Sequence, residues 1–141
     1  DPGADTARLT YIGFLLDGNK IADAETEFGL LSPRAAQEDA YAALQTRLEA
    51  MKGVCDLPDG ADLKARVAAN PADLPARLDL AHVLIARREY EAALEQLLEI
   101  VRSDRAFEDD VGRKTMLSVF ELMGDDPAVS RWRRQLATVL N

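Results

Sequence analysis

The chain has 141 residues, of which 48% are hydrophobic and 30% are charged, and its net charge is −8. This composition excludes a disordered polypeptide, and the acidic balance disfavours nucleic acid and anionic membranes, because negative charge repels phosphate groups. No apolar run reaches the roughly 18–20 residues that cross a bilayer, so the sequence predicts no membrane-embedded segment.

Helix-favouring residues dominate the sequence, and no segment alternates apolar and polar residues with the period of two that is typical of strands. We therefore predict an all-α fold of eight helices in one domain. The helices form four consecutive antiparallel pairs, which we place at 4–31, 33–70, 73–105 and 106–141.

The first predicted pair consists of helices over 4–16 and 20–31, with Gly18 expected to take the positive φ of the turn between them. The inward stripe of its first helix is Leu9, Ile12, Leu15 and Leu16. The second pair is predicted as a long helix over 33–52, with Ser32 as N-cap before Pro33, and a short helix over 61–69. Asn70-Pro71 is expected to end the short helix, because the residue before a proline avoids the helical conformation.

The third pair has the clearest pattern of the chain. Its first helix, which Asp73 is expected to cap, carries Ala81 on its inward face, and its second helix carries Ala93. Two helices cross closely only where side chains are short, so this segment is typical of a tetratricopeptide-type hairpin. Such a hairpin buries its apolar face only against stacked neighbours. Ala24 and Ala93 lie 69 residues apart, about two periods of the roughly 34-residue repeat.

The last pair is predicted as helices over 107–123 and from 127 to the chain end. An acidic run, Glu108, Asp109 and Asp110, falls in the first turn of the earlier helix, where carboxylates complement the helix dipole. A divalent-metal site is the alternative, but adjacent carboxylates point in different directions and no calcium-loop spacing surrounds them. We expect no metal, no cofactor and no catalytic residue in this chain.

Two residues with reactive side chains occur once each. Cys55 excludes an intrachain disulfide framework, and a reducing cytoplasm is the simplest compartment. Asp56 beside it disfavours the reactive thiolate, so we interpret Cys55 as inert rather than redox-active. His82 has neither a nucleophile nor a metal cluster near it in sequence, so it is interpreted as structural or groove-lining.

Candidate partner-binding residues follow from the repeat geometry. In tetratricopeptide arrays the first helix of each pair lines the inner groove, and here Leu78, His82 and Ile85 would face it. This is an apolar surface rather than a clamp of Lys and Asn for an acidic peptide. A second candidate is Trp132 with Arg133.

The arginines that flank Trp132 have three interpretations. Arg131, Arg133 and Arg134 can pair with acidic residues of the same chain, for which the candidates are Asp104, Asp109 and Asp110. They can instead contact a protein partner, since Arg beside an aromatic residue is an interface pattern. Nucleic acid is the third interpretation, and the net charge of −8 opposes it.

Three segments of the chain carry a more specific resemblance. They are NPADLPARLDLA, YEAALEQLLEIVRSDRAFEDDVGRKTMLSVFELMG and DPAVSRWRRQLATVL, all within residues 70–140. This half resembles the C-terminal tetratricopeptide region of the bacterial thioredoxin-like co-chaperones, the chaperedoxin family; residues 1–60 match less closely.

The resemblance implies a thioredoxin-fold domain on the N-terminal side of the parent protein, outside these residues, with any redox motif inside it. The sequence opens on Asp1-Pro2-Gly3 without Met, which predicts a trimmed or processed chain. By resemblance, the expected partners are unfolded clients under oxidative or heat stress, a chaperonin or other chaperone, and the chain's own thioredoxin domain. The alternative is an architectural or oligomerisation module that positions a thioredoxin-type redox domain.

Overall fold

The computed structural model describes residues 2–54 and 57–141, so Cys55 and Asp56, and the predictions made for them, lie outside the described residues. Over this range the chain forms a 3₁₀ helix, Pro33–Gln37, and eight α-helices, without any strand. The α-helices are α1 Pro2–Asp17, α2 Ile21–Gly29, α3 Asp39–Gly53, α4 Gly60–Ala69, α5 Leu74–Ala86, α6 Tyr90–Ser103, α7 Phe107–Met123 and α8 Ala128–Leu140. The predicted all-α class is confirmed.

Helices α5 and α6 form the hairpin that the sequence predicted. Asp73 caps α5, because its Oδ1 accepts a hydrogen bond from the backbone N–H of Ala76 at 3.0 Å. Ala81 and Ala93 are both fully buried, as expected where two helices approach closely. Helix α7 packs on the other side of α6, and α8 packs on both α6 and α7.

The predicted helix over 33–52 is broken. Glu38 is extended, with φ −78° and ψ 137°, and it separates the 3₁₀ helix from α3. Ser32 makes no capping bond; its N–H donates to Asp5 Oδ1 at 3.1 Å and its hydroxyl donates to the other oxygen of that carboxylate. The sequence prediction failed here because the partner of Ser32 lies on α1, far away along the chain.

Helix α3 occupies a different place from the one expected for the pair at 33–70. It packs against α1, α2, α5 and α7, whereas α4 packs on α5. Two apolar clusters meet at α3: Leu48 belongs to the cluster of α1 and α2, and Ala50 belongs to the large cluster of α4 to α8. Helix α3 therefore connects the two halves of the domain, α1 with α2 and α4 to α8, because it packs on α5 and α7 as well as on the first two helices.

Positive φ angles correct two predictions about local backbone. After α1 the left-handed residue is Asn19, with φ 59°, and not Gly18. At the start of α7, Glu108, Asp109 and Asp110 have φ of 44°, 57° and 66°, so they form a left-handed turn. The acidic run therefore precedes the right-handed part of α7, and its carboxylates still lie at the N-terminal end of that helix, where they complement the helix dipole. Aspartate tolerates this conformation better than most residues.

Candidate functional site

The face of α5 that was predicted to contact a partner lies inside the molecule. Leu78 is only 7% exposed and Ile85 is completely buried. Both belong to the large apolar cluster, together with Ala50 of α3. Because α3 packs across α5, this face is covered by the chain itself, and these two residues do not form a free surface.

His82, the third residue predicted on that face, is partly buried. Burial lowers the pKa of the His82 imidazole below its usual range, and the nearby carboxylates of Asp79 and Glu108 oppose this only in part. The side chain is therefore neutral at pH 7. Among the residues that the structure describes, no three His, Cys, Asp or Glu side chains are grouped as they would be around a metal ion.

Trp132 is also buried, with 6% of its surface exposed. Its indole Nε1 donates to Oε1 of Glu91 on α6 at 2.9 Å, and the guanidinium of Arg131 pairs with the same carboxylate. Of the three interpretations of the arginine cluster, Arg131 therefore follows the intramolecular one. Its partner, however, is Glu91 of α6 and not one of the three acidic residues that were proposed for it.

Two of the three acidic residues proposed as partners for these arginines pair within α7 instead, and the third, Asp104, accepts a hydrogen bond from the backbone N–H of Ala106 at 3.0 Å. Asp110 accepts from Nε of Arg113 at 2.7 Å, and Asp109 pairs with Lys114 at 3.0 Å. Arg133 is exposed, and its guanidinium carbon lies 4.9 Å from the ring centroid of Phe120, a cation–π contact. Arg133 thus keeps a solvent-facing position where a partner can reach it.

Glu91→Ala is expected to lower the free energy of unfolding by about 1 kcal/mol, because the buried indole N–H of Trp132 loses its acceptor. Glu95→Ala is the matched control, since Glu95 is exposed on the same helix. The free energy of unfolding of both variants is measured by urea unfolding, which is monitored through the fluorescence of Trp132, the only tryptophan. Equal midpoints for the two variants would show that the Glu91 contact contributes nothing.

Exposed apolar side chains concentrate near the start of the chain. Tyr11 is 51% exposed and Phe14 is 69% exposed, both on α1. Ala4 and Ala7 are exposed as well, and the spacing 4, 7, 11, 14 places all four on one side of a helix. We call these four residues the α1 face. In the sequence, the α1 face is visible as a second apolar stripe on the first helix, beside the stripe that is buried.

A groove of about 380 Å³ lies between α1 and α3. Its walls are completed by Tyr90 at the start of α6 and by Glu121 and Leu122 near the end of α7. Arg47 of α3 lines it and is only 6% exposed, an unusual burial for a guanidinium. No local sequence pattern predicts this groove, because its walls come from segments far apart along the chain.

One carboxylate in this groove serves two arginines. Oδ1 of Asp17 pairs with Nη1 of Arg47 at 2.7 Å and with Nη2 of Arg88 at 2.8 Å. The Nε of Arg47 has no hydrogen-bond partner among the described residues. Burial raises the pKa of the Tyr90 phenol, while the two cations oppose this. The phenol therefore stays protonated at neutral pH and can donate a hydrogen bond into the groove.

Three comparisons with known proteins were made: with family models, with curated proteins and with solved structures. The model of a family described as tetratricopeptide repeat matches residues 54–141. None of the curated proteins matches the chain significantly. A solved domain of a Vibrio parahaemolyticus protein of unknown function is 25% identical, over 95% of this chain and 78% of that one, with a TM-score of 0.48.

Across residues 2–54 and 57–141, no helix combines the length and apolar character needed to span a membrane.

Proposed function

The chain belongs to the tetratricopeptide repeat family, and from this premise we propose that it is the protein-binding module of a thioredoxin-linked co-chaperone. It holds unfolded or oxidation-damaged clients and docks to a further chaperone, such as a chaperonin. The family supports a role in protein–protein interaction. The finer role is supported by the resemblance of residues 70–140 to the co-chaperone family. A cytoplasmic setting belongs to the same proposal, because Cys55 is the only cysteine.

The α1 face is the observation that carries the client-holding role. Unfolded chains expose apolar side chains, and a row of exposed apolar residues offers loose contact to them without a fixed sequence requirement. Tyr11 and Phe14 supply most of its area, since aromatic rings are large. The net charge of −8 keeps the resulting complexes apart by repulsion. In this proposal α1, rather than the buried face of α5, contacts clients.

Replacement of Tyr11 and Phe14 by serine is expected to abolish most of the aggregation suppression of a chemically unfolded substrate, measured by light scattering. We expect at least a fivefold higher concentration of the variant to be needed for half-maximal suppression, because the apolar contact area is lost. Leu117→Ser is the matched control, since Leu117 is 40% exposed but lies on α7. Equal suppression by all three proteins would contradict the assignment to α1.

The same assay separates the proposal from an architectural role. Suppression by the unmodified chain, with or without prior oxidant treatment, supports a chaperone role, and the difference between the two states shows whether oxidation switches it. No suppression in either state would favour a module that docks or self-associates through the α1 face. In that case, deletion of this domain from a thioredoxin-linked parent would lower reductase activity without affecting clients.

A further inference from the structure

We propose that the groove between α1 and α3 binds an extended segment of a partner protein in which an acidic and a basic side chain flank apolar residues. This inference rests on the proposed function, because it specifies the chemistry of a protein partner. It concerns a site distinct from the α1 face, and it implies selectivity for sequence where the α1 face offers none.

The end of the groove at Arg47 carries one unneutralised positive charge. Arg47 and Arg88 both pair with Asp17, so two guanidiniums share a single carboxylate. The side chain of Asp17 is 48% exposed, whereas the side chain of Arg47 is 7% exposed. A carboxylate from a partner would complete a network of two cations and two anions. Arg47 offers donors there in a planar array that matches a carboxylate.

Two further donors support an acidic group at this end. The Nε of Arg47 has no partner within the described part of the chain. Tyr90 also lines the groove and is partly buried, so its hydroxyl is in place to donate to an incoming oxygen. A buried donor without an acceptor is costly, so the Arg47 guanidinium gains from any further acceptor that reaches it.

The opposite end of the groove is acidic. Glu38 precedes α3 and lies nine residues before Arg47, which corresponds to about 13 Å along the helix axis. Glu121 also lines the groove. Neither carboxylate forms an ion pair with the described residues. This end therefore favours a cation and repels a second acidic side chain.

The floor and length of the groove set the spacing of the partner segment. Leu9, Leu44 and Leu122 provide apolar surface between the two charged ends. An extended chain rises about 3.3 Å per residue, so the residues that reach Arg47 and Glu38 lie four positions apart in a segment of about five residues. Side chains alternate between the two faces of an extended chain, so the first, third and fifth residues of this segment point into the groove. The cavity of about 380 Å³ holds a few side chains. The segment that fits carries an acidic and a basic residue four positions apart, with apolar residues between them and the central apolar residue on the groove floor.

The probe is the capped peptide N-acetyl-Asp-Val-Leu-Val-Lys-amide, with Asp→Asn and Lys→Met versions, titrated into ¹⁵N-labelled protein and followed by NMR. Arg88→Gln and Glu38→Gln are the protein variants, because both side chains are exposed and their loss leaves the buried core intact. We expect shifts at groove residues and about threefold weaker binding when either peptide charge is removed. The Asp→Asn loss is expected to disappear in Arg88→Gln, and the Lys→Met loss in Glu38→Gln.

Outcomes for the groove and for client holding are separable. Arg88→Gln is expected to suppress aggregation like the unmodified chain, since the α1 face is unchanged. Suppression without any peptide-induced shift in the groove would overturn the groove proposal and leave the proposed function standing. The groove proposal would also be overturned if each peptide substitution weakened binding equally in all protein variants. In that case the peptide charges would not be coupled to Arg88 or Glu38. Selective peptide binding without suppression would instead contradict client holding and support the groove.

Discussion

Ile85→Asp is expected to unfold the domain rather than to impair a binding surface. Ile85 is completely buried in the cluster that joins α3 to the C-terminal helices. The substitution removes about 1.5–3 kcal/mol of apolar burial and adds several kcal/mol for a buried carboxylate without a partner. This sum approaches the whole stability of an ordinary domain, about 5–15 kcal/mol. Leu78→Asp is expected to act in the same direction.

Circular dichroism and urea unfolding test this expectation directly. Phe14→Asp is the matched control, because it places the same carboxylate at a side chain that is 69% exposed. We expect the control to retain its helicity and to change the free energy of unfolding by no more than about 0.5 kcal/mol. A helical, cooperatively folded Ile85→Asp protein with weakened client holding would restore the α5 face as a binding surface and contradict the packing of α3 described above.

Gly112→Ala is expected to destabilise the domain by about 1–3 kcal/mol, although alanine is the better helix former. Gly112 lies near the start of α7 where this helix meets α6. A Cβ atom there would lie 2.9 Å from Val101 Cγ2, 3.2 Å from Ile100 Cγ2 and 3.3 Å from the carbonyl oxygen of Leu97. The backbone oxygen cannot rotate away, so the two helices must separate or the side chains must leave their rotamers.

Gly53→Ala is expected to change the free energy of unfolding in the opposite direction. Gly53 ends α3, and a Cβ there would meet nothing within 4 Å. It is expected to stabilise by up to about 1 kcal/mol, because only the backbone entropy and the helix propensity change. Thermal or urea unfolding of both variants measures the contrast. A stabilising effect at both positions would show that α6 and α7 are less closely packed at Gly112 than the structure indicates.

The sequence by itself determined the features that depend on neighbours along the chain. The hairpin of α5 and α6, the cap at Asp73 and the end of α4 before Pro71 were all predictable. Their causes are a helical period, a short side chain at a crossing, a carboxylate at a helix start, and a proline that ends a helix. The repeat family follows from the same local signals, since one clear hairpin implies stacked neighbours.

The role of each apolar stripe was decided only by the tertiary structure. The period that marks Leu78 and Ile85 as one face of α5 is the same whether α3 or a partner covers that face. Conversely, Tyr11 and Phe14 match the pattern of buried residues but lie exposed. Periodicity identifies a face that favours burial, but it does not identify what covers it, because that depends on where distant helices pack.

The charged groove is the clearest case of this limit. Asp17, Arg47 and Arg88 come from three separate segments, and each has the local sequence of an ordinary surface residue. The trio forms because α3 packs against helices of both halves of the domain. This packing buries Arg47 and places it beside Arg88, so that both arginines pair with Asp17. Local sequence thus determined the helices and the family, and long-range packing decided which side chains are free to bind.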